Sequence, residues 1–252
     1  MTRPRQLRAY VGLLAGLALP LFVLVALATP WGRQPLDPAA LLVLAAVLVV
    51  GELRPIMVSH GDDRVDLVTI SCCFSLALVL QGPLAVALAL QAVALLVDDV
   101  RCRRPLLKVV FNHANFVLSL SLARLVHATL SGQPFLVGER ALTADDVVPA
   151  LVAGAVFFVV NQGLTTTVIC LATGERLVPS LVRDLTHHPT SVLELLALAP
   201  VVVHAVALSP LLVLLLVGPV IAVHTSSRLA IDREHQALHD TLTGLPNRAL
   251  FH

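Results

Sequence analysis

The sequence predicts an all-α polytopic membrane protein with about eight transmembrane helices. Hydrophobic residues fill 57% of its 252 positions and charged residues only 13%, with a mean hydropathy of +0.89. Soluble domains carry roughly a quarter charged residues. The shortage of charge extends along the chain in apolar runs that approach the ~20 residues a span needs. A multi-span protein is therefore predicted, rather than a soluble domain with a single anchor.

Apolar runs separated by polar connections define the predicted spans. They cover residues 9–29, 39–56, 67–80, 84–97, 109–130, 147–172, 191–208 and 211–223. Residues 1–8 form a basic cytoplasmic tail, and residues 9–224 form the multi-helix membrane domain. The third and fourth runs are short for a full crossing, which favours little tilt or a thinner bilayer.

A signal peptide is the alternative interpretation of the first run. Ala26-Leu27-Ala28 resembles a cleavage site. The apolar run is longer than the roughly 7–15 residues of a usual signal-peptide core, which favours an uncleaved first helix.

Two connections have a distinct character. Asp62, Asp63, Arg64 and Asp66 predict a polar loop between the second and third spans. Residues 174–189 place apolar side chains at helical spacing with charged residues between them. This second pattern predicts a helix that lies in the membrane interface without crossing it.

The distribution of basic residues predicts the orientation. With the N-terminus inside, fourteen of the seventeen Lys and Arg residues face the cytoplasm, and only Arg33 and Arg140 face outside. Arg124 lies within the fifth span. The positive-inside rule then predicts an even number of spans, with both termini in the cytoplasm of a multi-pass inner or plasma membrane protein.

The fifth span carries the richest set of polar residues. Lys108, Asn112, Asn115 and Ser119 follow spacings of four, three and four, which places them on one helical face. Polar groups in a bilayer are costly and are functional candidates by default. This face could line a ligand cavity, to which Gln91 and residues 161–163 would add donors and acceptors. Alternatively, it holds neighbouring helices together by hydrogen bonds.

Other charged and polar residues have more ordinary interpretations. Arg124 needs a partner, and Glu139, Asp145 or Asp146 in an outer loop are easier to reach than Glu52. Glu52 itself is interpreted as a helix-end cap or loop contact.

Histidine is the commonest metal ligand. No two histidines of the spans are paired at helical spacing, so polar packing is favoured over a metal or haem at any of them. They are His113, His127, His204 and His224. The four cysteines are interpreted as reduced or buried. They are Cys72, Cys73, Cys102 and Cys170.

The last dozen residues carry the most specific pattern. They read Asp240-Thr-Leu-Thr-Gly-Leu-Pro-Asn-Arg-Ala-Leu-Phe251, with Gly244 and Pro246 marking a turn and Asn247 suited to cap a helix. This ungapped stretch resembles the opening of the GGDEF domain, the catalytic module of bacterial diguanylate cyclases. Residues 51–56 and 108–112 also resemble, less specifically, the multi-helix sensor modules that precede such domains.

The resemblance implies a domain plan and a chemistry. Residues 225–238 would be a cytoplasmic linker helix, and residues 239–252 the start of an α/β GGDEF domain. Asn247 matches the asparagine that contacts guanine in the family, and Asp240 the aspartate that supports the nucleotide site. GTP and Mg²⁺ are implied for a full-length parent. The family's catalytic loop would lie beyond His252, so this stretch alone is expected to hold no catalytic residue and to make no cyclic di-GMP.

These observations favour a membrane sensor of a diguanylate cyclase that acts as a homodimer on an unknown small-molecule signal. Its expected partner is the lipid bilayer, with no nucleic acid and no metal site in this chain. A phosphodiesterase domain could follow. The alternatives are a small-molecule-binding or transport-like membrane protein without enzymatic activity, and an inactive truncation.

Overall fold

Three long helices form the frame of the fold in a computed structural model of the chain. The structure describes residues 3–32, 37–54, 56–60, 64–68, 71–140, 142–187 and 189–215. The long helices are α1 (Arg3–Ala28), α5 (Leu106–Ser131) and α6 (Val147–Thr173). Among the described residues, these three are long and apolar enough to cross a membrane, where α6 is counted with the preceding 3₁₀ turn.

The other helices and strands are shorter. They are α2 (Pro38–Leu53), β1 (Ile56–His60), β2 (Arg64–Val68), α3 (Ser71–Gln81), α4 (Leu84–Arg101), α7 (Leu177–His187) and α8 (Pro189–Leu208). A single 3₁₀ turn, Ala144–Asp146, precedes α6. Asp37 caps α2, and Pro38 occupies the first helical turn, where a missing N–H costs nothing.

The strands β1 and β2 form an antiparallel hairpin, in which Ile56 pairs with Val68 and His60 with Arg64. This corrects the predicted polar loop and the predicted limits of the neighbouring spans. The acidic residues are typical of a solvated loop, whereas the β-branched residues around them suit paired strands. The helix α2 consequently ends three residues earlier than predicted, at Leu53, and α3 begins four residues later than predicted, at Ser71.

The prediction of eight full spans is not supported. The helix α3 has 11 residues and so measures about 16 Å, roughly half of a ~30 Å hydrocarbon core. The helix α4 ends in two aspartates and an arginine. The eighth predicted span, 211–223, lies outside the described residues except for its first five positions. The all-α prediction holds for the described elements apart from the hairpin.

The short helix α3 is the centre of the molecule. Every one of its residues is buried, and it packs against α2, α4, α5 and α8. A smaller apolar cluster joins the first halves of α1 and α5 through Val11, Leu14 and Phe111. Tyr10 donates to the carbonyl oxygen of Leu164 at 3.3 Å and so ties α1 to α6.

The bundle has two ends, which we name by their buried charges. The Asp98 end contains the start of α5 and the ends of α2 and α4. The Arg124 end contains the end of α3, the start of α4 and the 132–143 loop. Two left-handed glycines mark helix ends, Gly132 after α5 (φ 67°) and Gly174 after α6 (φ 83°). Left-handed backbone suits glycine, which has no Cβ to clash.

Candidate functional site

A buried polar network joins α2, α3 and α4 towards the Asp98 end, and it is the candidate functional site. Glu52, in the last turn of α2, is only 3% exposed. Its Oε2 accepts a hydrogen bond from Ser71 Oγ, at the first residue of α3. The same oxygen accepts from Gln91 Nε2 of α4 at 3.4 Å. One carboxyl group thus binds three helices together.

The network continues through Gln91 to a second serine. Ser75 Oγ donates to Gln91 Oε1, and both side chains are buried. Ser71 and Ser75 lie four residues apart on α3 and therefore on the same helical face. Glu52, Ser71, Ser75 and Gln91, which we call the Glu52 network, form one continuous set of hydrogen bonds.

The environment of Glu52 is unusual for a carboxyl group. Among the described residues, no basic side chain lies within ion-pair distance of it. A buried carboxylate without a cation carries a desolvation penalty of several kcal/mol, on the order given by transfer of ions into proteins. Such a group either binds a proton or depends on its hydrogen-bond donors. The Glu52 network is consequently sensitive to any change in the spacing of α2, α3 and α4.

A second charged cluster closes the bundle next to this network. The buried carboxyl group of Asp98 accepts from Arg101 at 3.2 Å and from Arg104 at 2.5 Å. Arg101 also donates to the carbonyl oxygen of Leu53 at 3.2 Å, which fastens the end of α4 to the end of α2. Asp99 lies 3.5 Å from Arg104 Nη1.

A small cavity lies between α4 and α5, next to Gln91 of the Glu52 network. Its volume is about 10 Å³, enough for about one water molecule. His113 borders it, with Nδ1 2.9 Å from Val109 O, Nε2 3.2 Å from Ala92 O and Nδ1 3.7 Å from an oxygen of Asp99. The lining residues are Leu88, Gln91, Ala92, Leu95, His113, Phe116, Val117 and Leu120. Gln91 of α4 and His113 of α5 therefore border the same cavity.

The four residues of the predicted polar face of α5 differ in burial and in their partners. Asn115 and Ser119 are buried, Asn112 is half-buried and Lys108 is exposed. Asn115 Nδ2 donates to Asn161 O at 3.3 Å and to Thr165 Oγ1 at 3.2 Å, both on α6. Ser119 Oγ donates to the backbone oxygen of Asn115. Asn115 and Ser119 thus form hydrogen bonds within the bundle, and the ligand cavity stays a prediction.

Arg124 has partners that the sequence did not indicate. The side chain is fully buried and donates to four backbone carbonyl groups. Two belong to the end of α3, Val79 at 3.0 Å and Leu80 at 2.8 Å, and two to the following loop, Pro134 at 2.7 Å and Phe135 at 2.9 Å. Helix ends present unpaired carbonyl groups and a partial negative charge, so a carboxylate is not required.

Asp146, one of the three acidic residues suggested as partners of Arg124, has another partner. Asp146 binds Arg140, with 2.8 Å between Arg140 Nη2 and Asp146 Oδ1. The hydrogen bonds from this guanidinium to Asp146 raise the pKa of Arg140. Asp146 also accepts from the backbone N–H of Thr143 at 2.8 Å. The pair organises the loop before α6, which leaves Arg124 to the carbonyl groups.

Other predicted residues are separate from the site or not described. In the described part of the chain, no three His, Cys, Asp or Glu residues form a group that could hold a metal ion. His127 is fully buried beside Arg124. Asp240 and Asn247, predicted from the resemblance to contact nucleotide, lie outside the described residues, as do residues 225–252.

The sequence did not predict the hydrogen bonds of the Glu52 network, although Glu52 and Gln91 were both singled out as polar residues. Gln91 was predicted to line a cavity, but with the face of α5 that packs on α6. Glu52 was predicted to be a helix-end contact. Two signals could have found the network: Glu52 is the only charged residue in the run 39–53, and Ser71 and Ser75 share a helical spacing.

Comparison with models of protein families gives a match over most of the chain. The family model MASE9, which represents membrane-associated sensory domains, matches residues 43–230, about three quarters of the chain. The match includes the whole Glu52 network and both ends of the bundle. No curated protein and no solved structure matches the chain.

Proposed function

The chain belongs to the MASE9 family, and we propose that its membrane part is the sensory module of a diguanylate cyclase. One observation carries the proposal. The sensory-domain match ends at residue 230, and the GGDEF-like stretch begins ten positions later at Asp240. A sensor followed directly by the opening of a cyclase domain is the order that a signalling protein requires.

The proposed orientation places both termini in the cytoplasm, where GTP is found. In the folded bundle, Arg101, Arg104 and Lys108 lie together at the Asp98 end. The N-terminal half of α1, with Arg5 and Arg8, packs against the N-terminal half of α5 and so lies at this same end. The positive-inside rule then favours the Asp98 end as the cytoplasmic end.

Within the module, the Glu52 network is the proposed signal-sensitive element. A buried carboxyl group inside a membrane bundle is costly and is a functional candidate by default. Its hydrogen bonds span α2, α3 and α4, so a signal that shifts one helix changes the environment of the carboxyl group. Residues 225–238 would transmit that shift, as paired linker helices of a homodimer, to two GTP-loaded domains.

The α5 face gives no support to the alternative of a solute carrier. The transport hypothesis was motivated by the face that contains Asn115. That side chain is hydrogen-bonded to α6, and the cavity beside α5 has a volume of only about 10 Å³. We therefore retain the sensory function alone.

The deciding experiment measures GTP turnover by the natural gene product, N-terminally tagged and purified in membranes of its source. With GTP and Mg²⁺, we expect cyclic di-GMP by mass spectrometry and an intact mass well above the 26.8 kDa of this chain. Absence of product, together with a mass near that of the chain, would remove the cyclase from the proposal.

The role of the Glu52 network needs a second arm of the same experiment. Glu52→Gln keeps the size of the side chain and should change turnover in membranes at least several-fold. The matched control is Lys108→Gln, at an exposed position of the same end, which should leave turnover unchanged. Equal turnover by the wild type and Glu52→Gln would remove the network from the signalling role and leave the cyclase intact.

A further inference from the structure

The helix α7 has the opposite polarity to an amphipathic helix on the surface of a soluble protein. Three of its apolar residues are exposed, namely Leu177, Val178 (70%) and Val182 (56%). Leu181 and Leu185 are partly buried, and Leu185 packs against the main apolar core. Its polar residue Ser180 is 5% exposed, and Asp184 is only partly accessible. A helix packed on a soluble core would bury the valines and expose the serine and the aspartate.

The inward polar residues of α7 are satisfied within the protein. Asp184 Oδ2 accepts a hydrogen bond from Thr166 Oγ1 of α6 at 2.7 Å. Ser180 Oγ donates to Glu175 Oε2, just before the helix, at 3.2 Å. Arg183 lies 3.6 Å from Glu175 and 3.3 Å from Asp184. The polar side of α7 therefore binds α6 and the residues just before the helix, while the side chains of Val178 and Val182 are exposed on the opposite side.

The position of α7 favours lipid as that contact. The helix follows directly after α6, a membrane-length helix that ends at the left-handed residue Gly174. Near that end, α6 also exposes the apolar side chain of Ile169. With 11 residues, α7 measures about 16 Å and is too short to cross a bilayer.

The area of the outward face argues against a second copy of the chain as the occupant. Its large exposed apolar residues are Leu177, Val178 and Val182. The accessible area of these three aliphatic side chains is far below the roughly 800 Å² that each partner contributes to a standard stable interface. A helix with basic residues and an apolar face is instead typical of the boundary between headgroups and acyl chains. Arg176 and Arg183 supply the basic residues.

We propose that the outward face of α7 lies in the bilayer interface at the Asp98 end, with lipid as its direct binding partner. The hydrogen bond between Thr166 and Asp184 then connects this lipid contact to α6. A change in lipid packing that displaces α7 moves the end of α6 as well. The proposal does not depend on the presence of a cyclase domain.

The test places spin labels on the full chain reconstituted in phosphatidylcholine–phosphatidylglycerol vesicles. Val178→Cys and Val182→Cys are labelled in a Cys102→Ser background, since the other native cysteines are buried. Collision with oxygen, which concentrates in lipid, is compared with collision with a water-soluble nickel complex. Val159→Cys, on the exposed surface of α6, is the lipid reference. Asp145→Cys, at an exposed position of the 3₁₀ turn before α6, is the water reference.

We expect positions 178 and 182 to collide with oxygen several-fold more than with nickel, as position 159 does. A preference for nickel like that of position 145 would place the face in water and overturn the proposal. Protection from both reagents would place protein over the face, either a second copy or another part of the chain, and would overturn it too.

A second measurement avoids cysteine labelling. Trp31 is the only tryptophan, so Val182→Trp in a Trp31→Phe background reports on one position. We expect brominated lipids to quench its fluorescence more strongly than aqueous iodide does. The reverse order would contradict the proposal independently of the spin labels.

Discussion

Arg124 of α5 donates to the carbonyl oxygen of Leu80, 2.8 Å away at the end of α3. This contact closes the end of the most buried helix in the structure. The guanidinium has five donors in a fixed plane, which allows one side chain to reach four carbonyl groups. It replaces the helix caps and solvent that an exposed helix end would use.

Replacement of Arg124 by methionine is expected to destabilise the bundle. The substitution retains an unbranched side chain and leaves buried carbonyl groups without their donor, at a cost of about 2 kcal/mol or more in total. Thermal unfolding in detergent, followed by circular dichroism, should show a clear decrease in Tm. Leu125→Met, at the neighbouring exposed position, is the control and should change Tm little. Equal Tm values for both variants would contradict the role of Arg124.

Glu52 and Ser71 are expected to be energetically coupled. Their hydrogen bond predicts an interaction free energy on the order of 0.5–3 kcal/mol in a double-mutant cycle. The cycle uses Glu52→Gln, Ser71→Ala and the double variant, with unfolding by SDS as the measurement. Glu52→Gln combined with Ser119→Ala, which belongs to a different hydrogen-bonded pair, should be additive. Additivity in both cycles would show that the buried carboxyl group does not depend on Ser71.

Asn115 is expected to contribute to stability through its bonds to α6. Asn115→Leu removes both hydrogen bonds from α5 to α6, although Thr165 Oγ1 still donates to the carbonyl oxygen of Asn161 at 2.8 Å. The loss of the two bonds should cost about 1–3 kcal/mol. Asn112→Leu, three residues earlier and half-buried, should stay within roughly 0.5 kcal/mol of the wild type. Unfolding by SDS measures both. A larger loss for Asn112→Leu than for Asn115→Leu would contradict the packing role of Asn115.

Gly138 and Gly163 are expected to respond oppositely to alanine. A Cβ at Gly138 would lie 2.8 Å from the backbone oxygen of Gln81, which cannot move without α3. Overpacking of this kind typically costs about 1–3 kcal/mol. A Cβ at Gly163, inside α6, meets no atom within 4 Å, and alanine there should stabilise the helix by roughly 0.5–1 kcal/mol. Two Tm shifts of the same sign would contradict this account.

The long helices were predictable because their signals are local. The fifth span was predicted at 109–130 and is observed as Leu106–Ser131, and the sixth was predicted at 147–172 and is observed as Val147–Thr173. Each of these helices coincides with a continuous apolar run and is followed by a glycine, Gly132 or Gly174. The hairpin Ile56–Val68 was missed because its strands depend on pairing with each other, which a polar composition conceals.

The sequence predicted some of the buried polar residues but not which groups they contact. Asn115 and Ser119 were recognised as polar residues on one face, but a face alone does not state which helix packs on it. The partners of Arg124 are backbone carbonyl groups, which every residue has and which therefore leave no signal in sequence. Gln91 was recognised, whereas its connection to Glu52 required α2 and α4 to pack in parallel.

By itself, the sequence determined which segments leave water, because hydrophobicity is a property of each residue summed along the chain. It also contains a stretch, residues 240–251, that resembles the opening of a GGDEF domain, and the domain itself stays a prediction. Only the tertiary structure decided the pairing of the buried polar groups. A lone carboxyl or guanidinium group is costly in an apolar interior, and its cost is relieved by whichever donors and acceptors the packing of α2, α3, α4 and α5 brings within reach.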